Sequence, residues 1–186
     1  MIWSFLRRNP RSDTISILYG TIVTQARLPC FYRDYGVADT VNGRFDLIVL
    51  HLTLLFHRLA AEPAERRTLG QRVFDLFCLD MDHNLREMGV GDLAVPKKMK
   101  RIGAAFYGAL QAYEAALAAG TGQALIEAVI RNVASNPARP LAADRIAAYM
   151  GDAIRVLFEQ GYDAIESGIV RFPDPEKRNE IEAIRA

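Results

Sequence analysis

Apolar residues recur every three or four positions along most of the chain, which is the spacing of amphipathic helices. Ser12 or Asp13 can cap a first helix, and Pro29 ends it. Later helices are expected to start near Gly43, Pro63, Pro96, Thr121 and Asp144. No stretch alternates apolar and polar residues as a half-buried strand does. The pattern therefore predicts an all-α, single-domain helical bundle of about six to seven helices.

The helical pattern also sets the expected domain limits. Residues 1–11 are an N-terminal segment, 12–172 form the helical domain, and 173–186 are a polar, charge-mixed tail expected to be a frayed helix. The connector CFYRDYGVADTVNGRF, residues 30–45, is long and rich in aromatic residues. We expect it to contain a short helix that packs on the core.

The segment from about Gly43 to Ala60 is apolar nearly all round, so it should be the central helix of the bundle. It contains two of the three histidines, His51 and His57. Their apolar surroundings indicate hydrogen-bonded core or boundary histidines rather than metal ligands or catalytic bases.

Charge and composition exclude several classes of protein and of binding partner. The net charge is +1 and 51% of residues are apolar, which fits a globular protein and argues against a general or sequence-specific nucleic-acid binder. Two cysteines cannot build a disulfide framework, so a reducing cytoplasm is expected. No apolar run approaches the ~20 residues of a membrane-spanning helix. The opening MIWSFLRR is either a packed terminus or an amphipathic contact with a membrane surface.

One stretch, residues 80–102 (DMDHNLREMGVGDLAVPKKMKRI), breaks the expected charge pattern of helices. Gly89 stands where a left-handed helix end belongs, and Pro96 opens the next helix. The first turns of that helix contain a basic cluster of Lys97, Lys98, Lys100 and Arg101. Each exposed cation there is repelled by the positive end of the helix dipole, which destabilises the helix by roughly 0.3–1 kcal/mol. One interpretation is a solvated helix start whose unfavourable charge is reduced by Asp92. The other is that the cluster binds a negatively charged protein, ribosomal RNA or lipid headgroups.

The acidic part of this stretch allows two enzyme hypotheses. A metal site could use Asp80 with His83 or Asn84 and Glu87. A magnesium- and diphosphate-dependent enzyme resembling isoprenoid synthases could use aspartates of the same helix, namely Asp75, Asp80 and Asp82. The competing interpretation is a solvated helix face with ion pairs Asp82–Arg86 and His83–Glu87. No second acidic motif or nucleophile motif accompanies these residues, so no enzyme, metal or cofactor is predicted.

Two sequence stretches together resemble the ubiquinol–cytochrome c chaperone family. They are DMDHNLREMGVGDLAVPKKMKR, residues 80–101, and YGVADTVNGRFDLIVLHLTLLFHRL, residues 35–59. The combination LREMGVGD followed by a lysine pair is specific, and the resemblance covers roughly residues 12–172.

The resemblance implies a bacterial, alphaproteobacterial member that assists assembly of respiratory complex III and has no catalytic activity. The implied client is cytochrome b or its precursor. Family members also associate with the ribosome and with a small partner protein. The expected location is the bacterial cytoplasm, with peripheral contact at the inner membrane left open.

We hypothesise a partner-binding site on the hairpin formed by the two helices around Gly89. Leu85–Asp92 would set the hairpin angle, and Lys97, Lys98 and Arg101 would contact the client or the ribosome. Arg44 and Asp46 either lie against this hairpin or form a salt bridge with each other. The complete set of candidate residues is Leu85, Arg86, Glu87, Met88, Gly89, Val90, Gly91, Asp92, Lys97, Lys98, Arg101, Arg44 and Asp46.

Overall fold

The computed structural model describes residues 10–120 and 122–177, with only the backbone given for residues 10–13. All named elements in these ranges are helices, so the predicted all-α bundle is confirmed. The helices are α1 (Pro10–Ala26), α2 (Pro29–Arg33), α3 (Val41–Ala60), α4 (Ala64–Glu87), α5 (Val95–Ala119), α6 (Gly122–Asn132), α7 (Ala143–Glu159) and α8 (Tyr162–Glu166). None of the helices in these ranges is long and apolar enough to cross a membrane.

Most helix boundaries lie close to the predicted positions, but α1 runs from Pro10, so Ser12 and Asp13 lie inside the helix and the predicted cap there is wrong. Proline suits the first turn of a helix because it needs no N–H partner there. The short helix expected in the connector is α2, and α3 to α5 start within two residues of their predicted positions. The five-residue helix α8 was not predicted, because it is too short to show a periodic pattern. Thr121 and the opening MIWSFLRR lie outside the described residues.

Helix α3 is the centre of the bundle, as its apolar sequence predicted. Its Thr40 cap accepts a hydrogen bond from the Gly43 N–H at 3.2 Å. Helices α1, α4, α5 and α7 pack around α3, and α6 packs between α5 and α7. The middle of α3, from Leu47 to Leu55, is buried throughout.

Two buried polar side chains of α3 tie it to α7. The imidazole of His51 is fully buried, with Nδ1 2.7 Å from the Leu47 carbonyl and Nε2 2.8 Å from the Tyr149 hydroxyl. Burial lowers the pKa of His51 to about 4. Arg58 donates to the carbonyl of Leu157 at 3.1 Å and to that of Gln160 at 3.2 Å, so it caps the end of α7. The expectation that His51 is a hydrogen-bonded core histidine is confirmed.

The connector between α2 and α3 pairs with the connector between α6 and α7. Val37 forms an isolated antiparallel bridge with Ser135, and the Ala38 N–H donates to the Ala134 carbonyl at 2.8 Å. Gly36 has a φ of +72°, and an added Cβ there would overlap the Pro140 carbonyl. These contacts place the end of α6 beside the beginning of α3.

The hairpin of α4 and α5 has the helix end that its sequence predicted. Gly89 has a φ of +79°, and the Val90 N–H donates to the Leu85 carbonyl at 3.1 Å. With the Gly89 N–H donating to the Arg86 carbonyl at 2.9 Å, this is a Schellman motif. The motif ends α4 sharply and lets α5 return alongside it.

The chain after α8 packs back on the core. Gln25 donates to the Pro173 carbonyl at 3.0 Å, and the Tyr35 hydroxyl donates to the Pro175 carbonyl at 3.0 Å. Residues 178–186, the rest of the predicted tail, lie outside the described residues.

Candidate functional site

A groove with a volume of about 1030 Å³ opens where four helices meet. The beginning of α3 and the end of α4 form two of its walls. The first half of α5 and the last residues of α6 form the others. The groove therefore depends on the two features just described, the glycine-ended hairpin and the paired connectors.

The floor of the groove is apolar, and its lining contains five cationic side chains beside two carboxylates, Asp46 and Asp80. The floor includes Phe45, Ile48, Val49, Leu85 and Ile102. Exposed apolar side chains continue to the edge, where Val41 is 66% and Met88 55% accessible. The cationic lining residues are Arg27, Arg44, Lys98, Arg101 and Arg131.

Several of these cations lack an anionic partner within the part of the chain that the structure describes. Arg44 pairs with Asp39 at 2.8 Å, and Arg131 lies 4.0 Å from its partner Glu127. The other three, Arg27, Lys98 and Arg101, form no ion pair with the described residues. The groove therefore presents unpaired positive charge beside an apolar floor.

Asp46 lies on the α3 wall and is bonded to the backbone just after the end of α6. Its Oδ2 accepts from the Ala134 N–H at 2.9 Å. Burial raises the pKa of Asp46, and the Ala134 hydrogen bond opposes this rise. Arg44 and Asp46 both line the groove, but their polar contacts are with Asp39 and Ala134 rather than with each other.

The structure divides the thirteen candidate residues into two groups. Those that line the groove are Arg44, Asp46, Leu85, Met88, Lys98 and Arg101. Those that lie outside it are Arg86, Glu87, Gly89, Val90, Gly91, Asp92 and Lys97. The second group forms or borders the hairpin turn, so its members shape the end of the groove rather than face into it.

Arg86 is the main polar link of the turn. Its guanidinium pairs with Asp82 at 2.7 Å and also with Asp92 across the turn. Asp92 is therefore matched to Arg86 and not to the lysines that follow it. Glu87 pairs with His83 at 3.0 Å, and both side chains are exposed on α4.

The basic cluster divides in the same way. Lys98 and Arg101 line the groove, whereas Lys97 and Lys100 do not. At 3.6 residues per turn, the Lys97–Lys100 pair is centred about 100° around the helix axis from the Lys98–Arg101 pair, so the two pairs point in different directions. All four cations are exposed.

The aspartates considered for an enzyme are bonded to neighbouring side chains. Asp80 accepts from the Tyr19 hydroxyl at 2.7 Å and from Asn84 at 3.0 Å, and Asp75 accepts from Gln71 at 2.8 Å. Asp82 is in the ion pair with Arg86. Among the described residues no group of three or more His, Cys, Asp or Glu could hold a metal ion. The magnesium–diphosphate alternative is not supported.

The groove also contains residues that the sequence did not indicate. Arg27 closes α1, and residues 131–134 end α6. Neither belongs to a motif, and both reach the groove through contacts between distant parts of the chain. A single sequence contains no local signal for such contacts.

Comparison with known proteins identifies the family. A sequence model described as "Ubiquinol-cytochrome C chaperone" matches residues 33–172. The crystal structure of the Cbp3 homolog from Brucella abortus is similar with a TM-score of 0.79 at 35% sequence identity, covering 90% of this chain and 93% of that chain. Among curated proteins no significant match is found. The matched residues include both the connector and the hairpin, and we conclude that the chain belongs to the ubiquinol–cytochrome c chaperone family.

Proposed function

We propose that this protein is an assembly chaperone for respiratory complex III and that it holds cytochrome b, or its precursor, before assembly. The observation that carries the binding part of the proposal is the groove with an apolar floor and unpaired cations. Family membership supports the complex III role. The groove suits a protein client because exposed apolar side chains, Val41 and Met88, continue from its floor to its edge, where a small substrate would leave them uncovered.

The client segment that fits this groove is amphipathic. Its apolar side would cover Phe45 and Ile102, and its acidic side chains would face Lys98 and Arg101. A short amphipathic segment binds an open groove through such anchors, and the adaptable side chain of Met88 suits variable contacts. Binding of this kind protects apolar client surface without any covalent step.

In this proposal the hairpin turn fixes the position of the α5 wall of the groove. The Schellman motif at Gly89 sets the direction in which α5 leaves α4. Lys98 and Arg101 therefore line the groove together with the α3 wall, while both remain exposed. We place the protein in the bacterial cytoplasm beside the inner membrane, where it would meet newly made cytochrome b, with ribosome contact as a further proposal.

The first test is deletion of the gene in its host. Reduced-minus-oxidised optical spectra of membranes should lose the b-type haem signal of complex III selectively, and quinol–cytochrome c reductase activity should fall with it. Other oxidases should keep their spectra. Unchanged spectra and activity in the deletion strain would contradict the assembly role.

The second test addresses the groove directly. Complementation with a Lys98→Glu/Arg101→Glu variant should fail to restore reductase activity, and the tagged variant should no longer co-purify cytochrome b from detergent extracts. The matched control, Arg171→Glu/Lys177→Glu, makes the same charge change at exposed positions away from the groove. Circular dichroism should show native helix content in both. If the groove variant retains cytochrome b as well as the control does, the groove is not the client site.

A further inference from the structure

The side of α5 that does not line the groove differs from the groove side in its residues. Lys97 and Lys100 are exposed, are three residues apart and do not line the groove. Tyr107 lies two helical turns beyond Lys100 on the same side, and 52% of it is accessible. This side of α5 therefore combines two cations with an aromatic residue that has a polar tip.

The hairpin turn adds an exposed apolar side chain next to these cations. Leu93 is fully exposed, at 100%, four residues before Lys97. A single exposed leucine is ordinary in a globular protein. This one lies in a hairpin turn next to cations, where an apolar environment would bury its side chain favourably.

The local charge favours an anionic partner. From Val95 to Tyr113, α5 contains four cations and no Asp or Glu. The nearest acidic residues are already engaged, because Asp82 and Asp92 both pair with Arg86, and Glu87 pairs with His83. Lys97 and Lys100 form no ion pair with the described residues.

We propose that this outer hairpin face, defined by Leu93, Lys97, Lys100 and Tyr107, docks on an anionic phospholipid surface. Leu93 would enter the region between headgroups and acyl chains, and the two lysines would lie at the phosphates. Tyr107 suits the same boundary because its ring is apolar and its hydroxyl is polar. A membrane explains the exposed leucine as well as the cations and the tyrosine, whereas RNA would use the cations and the aromatic ring and leave the leucine unexplained.

The geometry gives this docking a consequence for the groove. Lys98 and Arg101 lie on a different side of α5 from Lys97 and Lys100. A protein bound to lipid through the outer hairpin face would keep its groove open to a client. The lipid proposal is independent of what the groove binds, since it can be tested with the purified full chain.

The test is co-sedimentation with vesicles of phosphatidylcholine alone or of phosphatidylcholine mixed with phosphatidylglycerol. The wild-type chain should bind the mixed vesicles and lose binding as salt is added. A Lys97→Gln/Lys100→Gln variant should partition about 30-fold less strongly, as expected for two surface lysines. Leu93→Ser should partition about tenfold less strongly, through loss of apolar burial alone. Arg171→Gln/Lys177→Gln, the control with the same net charge change, should bind as the wild type does.

A fluorescence measurement separates insertion from simple attraction. Trp3 is the sole tryptophan, so a Leu93→Trp substitution in a Trp3→Phe background reports on the hairpin tip. Its emission should move to shorter wavelength with mixed vesicles and stay unchanged with ribosomal RNA. The proposal is overturned if the wild type ignores mixed vesicles. It is also overturned if Leu93→Ser binds them like the wild type, or if the charge control weakens binding as much as Lys97→Gln/Lys100→Gln.

Discussion

The two stretches that resemble the chaperone family, residues 35–59 and 80–101, have opposite surroundings in the folded protein. In the first, Tyr35, Val37 and the middle of α3 are inaccessible to solvent. In the second, every residue from Arg86 to Ala94 except Val90 is exposed. The two stretches that carry the family resemblance therefore have different roles in the folded protein.

The glycines make this contrast concrete. In the first stretch, an added Cβ at Gly36 would overlap the Pro140 carbonyl, and one at Gly43 would overlap the Ala38 carbonyl. In the second, neither Gly89 nor Gly91 has an atom within 4 Å of an added Cβ. The first pair is required by packing, whereas Gly89 is required only by its φ of +79°. The first stretch therefore builds the fold, and the second presents a surface.

The largest expected effect follows from the packed glycine of the connector. Gly36→Ala adds a backbone clash to a φ of +72°, so it should lower the free energy of unfolding by about 3–5 kcal/mol. Urea denaturation followed by circular dichroism measures this change.

The matched substitution in the exposed stretch is Gly91→Ala. It meets open space, and we expect a change below about 0.5 kcal/mol. Equal losses for the two variants would mean that the connector and the turn are equally constrained, and the contrast between them would be lost.

The histidines of the two stretches provide the second prediction. The pKa of His51 is about 4 in the fold, against about 6.5 in an unfolded chain. The unfolded state therefore binds the proton more tightly. The contribution of His51 to stability is complete above pH 6.5 and is lost as the pH falls towards 4. Over that window the loss is about 3 kcal/mol, measurable by denaturation at a series of pH values.

Two variants isolate this contribution. His51→Gln should be less stable at neutral pH, and its stability should fall less steeply between pH 6.5 and 4. His83→Gln changes the exposed histidine that pairs with Glu87, and it should keep the steep wild-type dependence. If His51→Gln retains the full pH dependence, other groups cause it and His51 is not the buried titrating group.

The third prediction concerns the backbone of the exposed stretch itself. Gly89→Val places a β-branched residue at a left-handed position, and it should cost about 1–2 kcal/mol of unfolding free energy. The melting temperature should fall accordingly. An unchanged melting temperature would show that the helix end at Gly89 rearranges without cost, contrary to the Schellman assignment.

The sequence was sufficient to predict the helices because the features that mark them lie within each helix or next to its ends. The spacing of apolar residues in α4, Pro63 before it and Gly89 after it are all visible without a structure. The central position of α3 also followed from its composition, since a helix apolar on all sides must be surrounded. The Schellman hydrogen bonds were predictable for the same reason.

The groove was only partly predictable because its α6 wall depends on contacts between distant parts of the chain. The hairpin and the start of α3 were marked by their motifs, and six of the candidate residues line the groove. The α6 wall is placed by pairing between residues 36–38 and 134–136, a contact that depends on the whole fold. Periodicity also could not tell which lysines of the cluster face the groove, since that depends on how α5 is rotated against α3.

The smallest expected effect on global stability comes from Arg86, although it makes the most ion pairs in the turn. Its partners are the half-buried Asp82 and the exposed Asp92, and solvent and salt reach and screen both pairs. Arg86→Ala keeps a good helix former at the position, so the melting temperature should shift only at the limit of measurement. The change should instead be local, with faster amide hydrogen exchange at Gly89 and Val90, whose hydrogen bonds close the turn. A loss of stability comparable to that of Gly36→Ala would place the hairpin within the cooperative core, so that its exposed surface could not be altered without unfolding the protein.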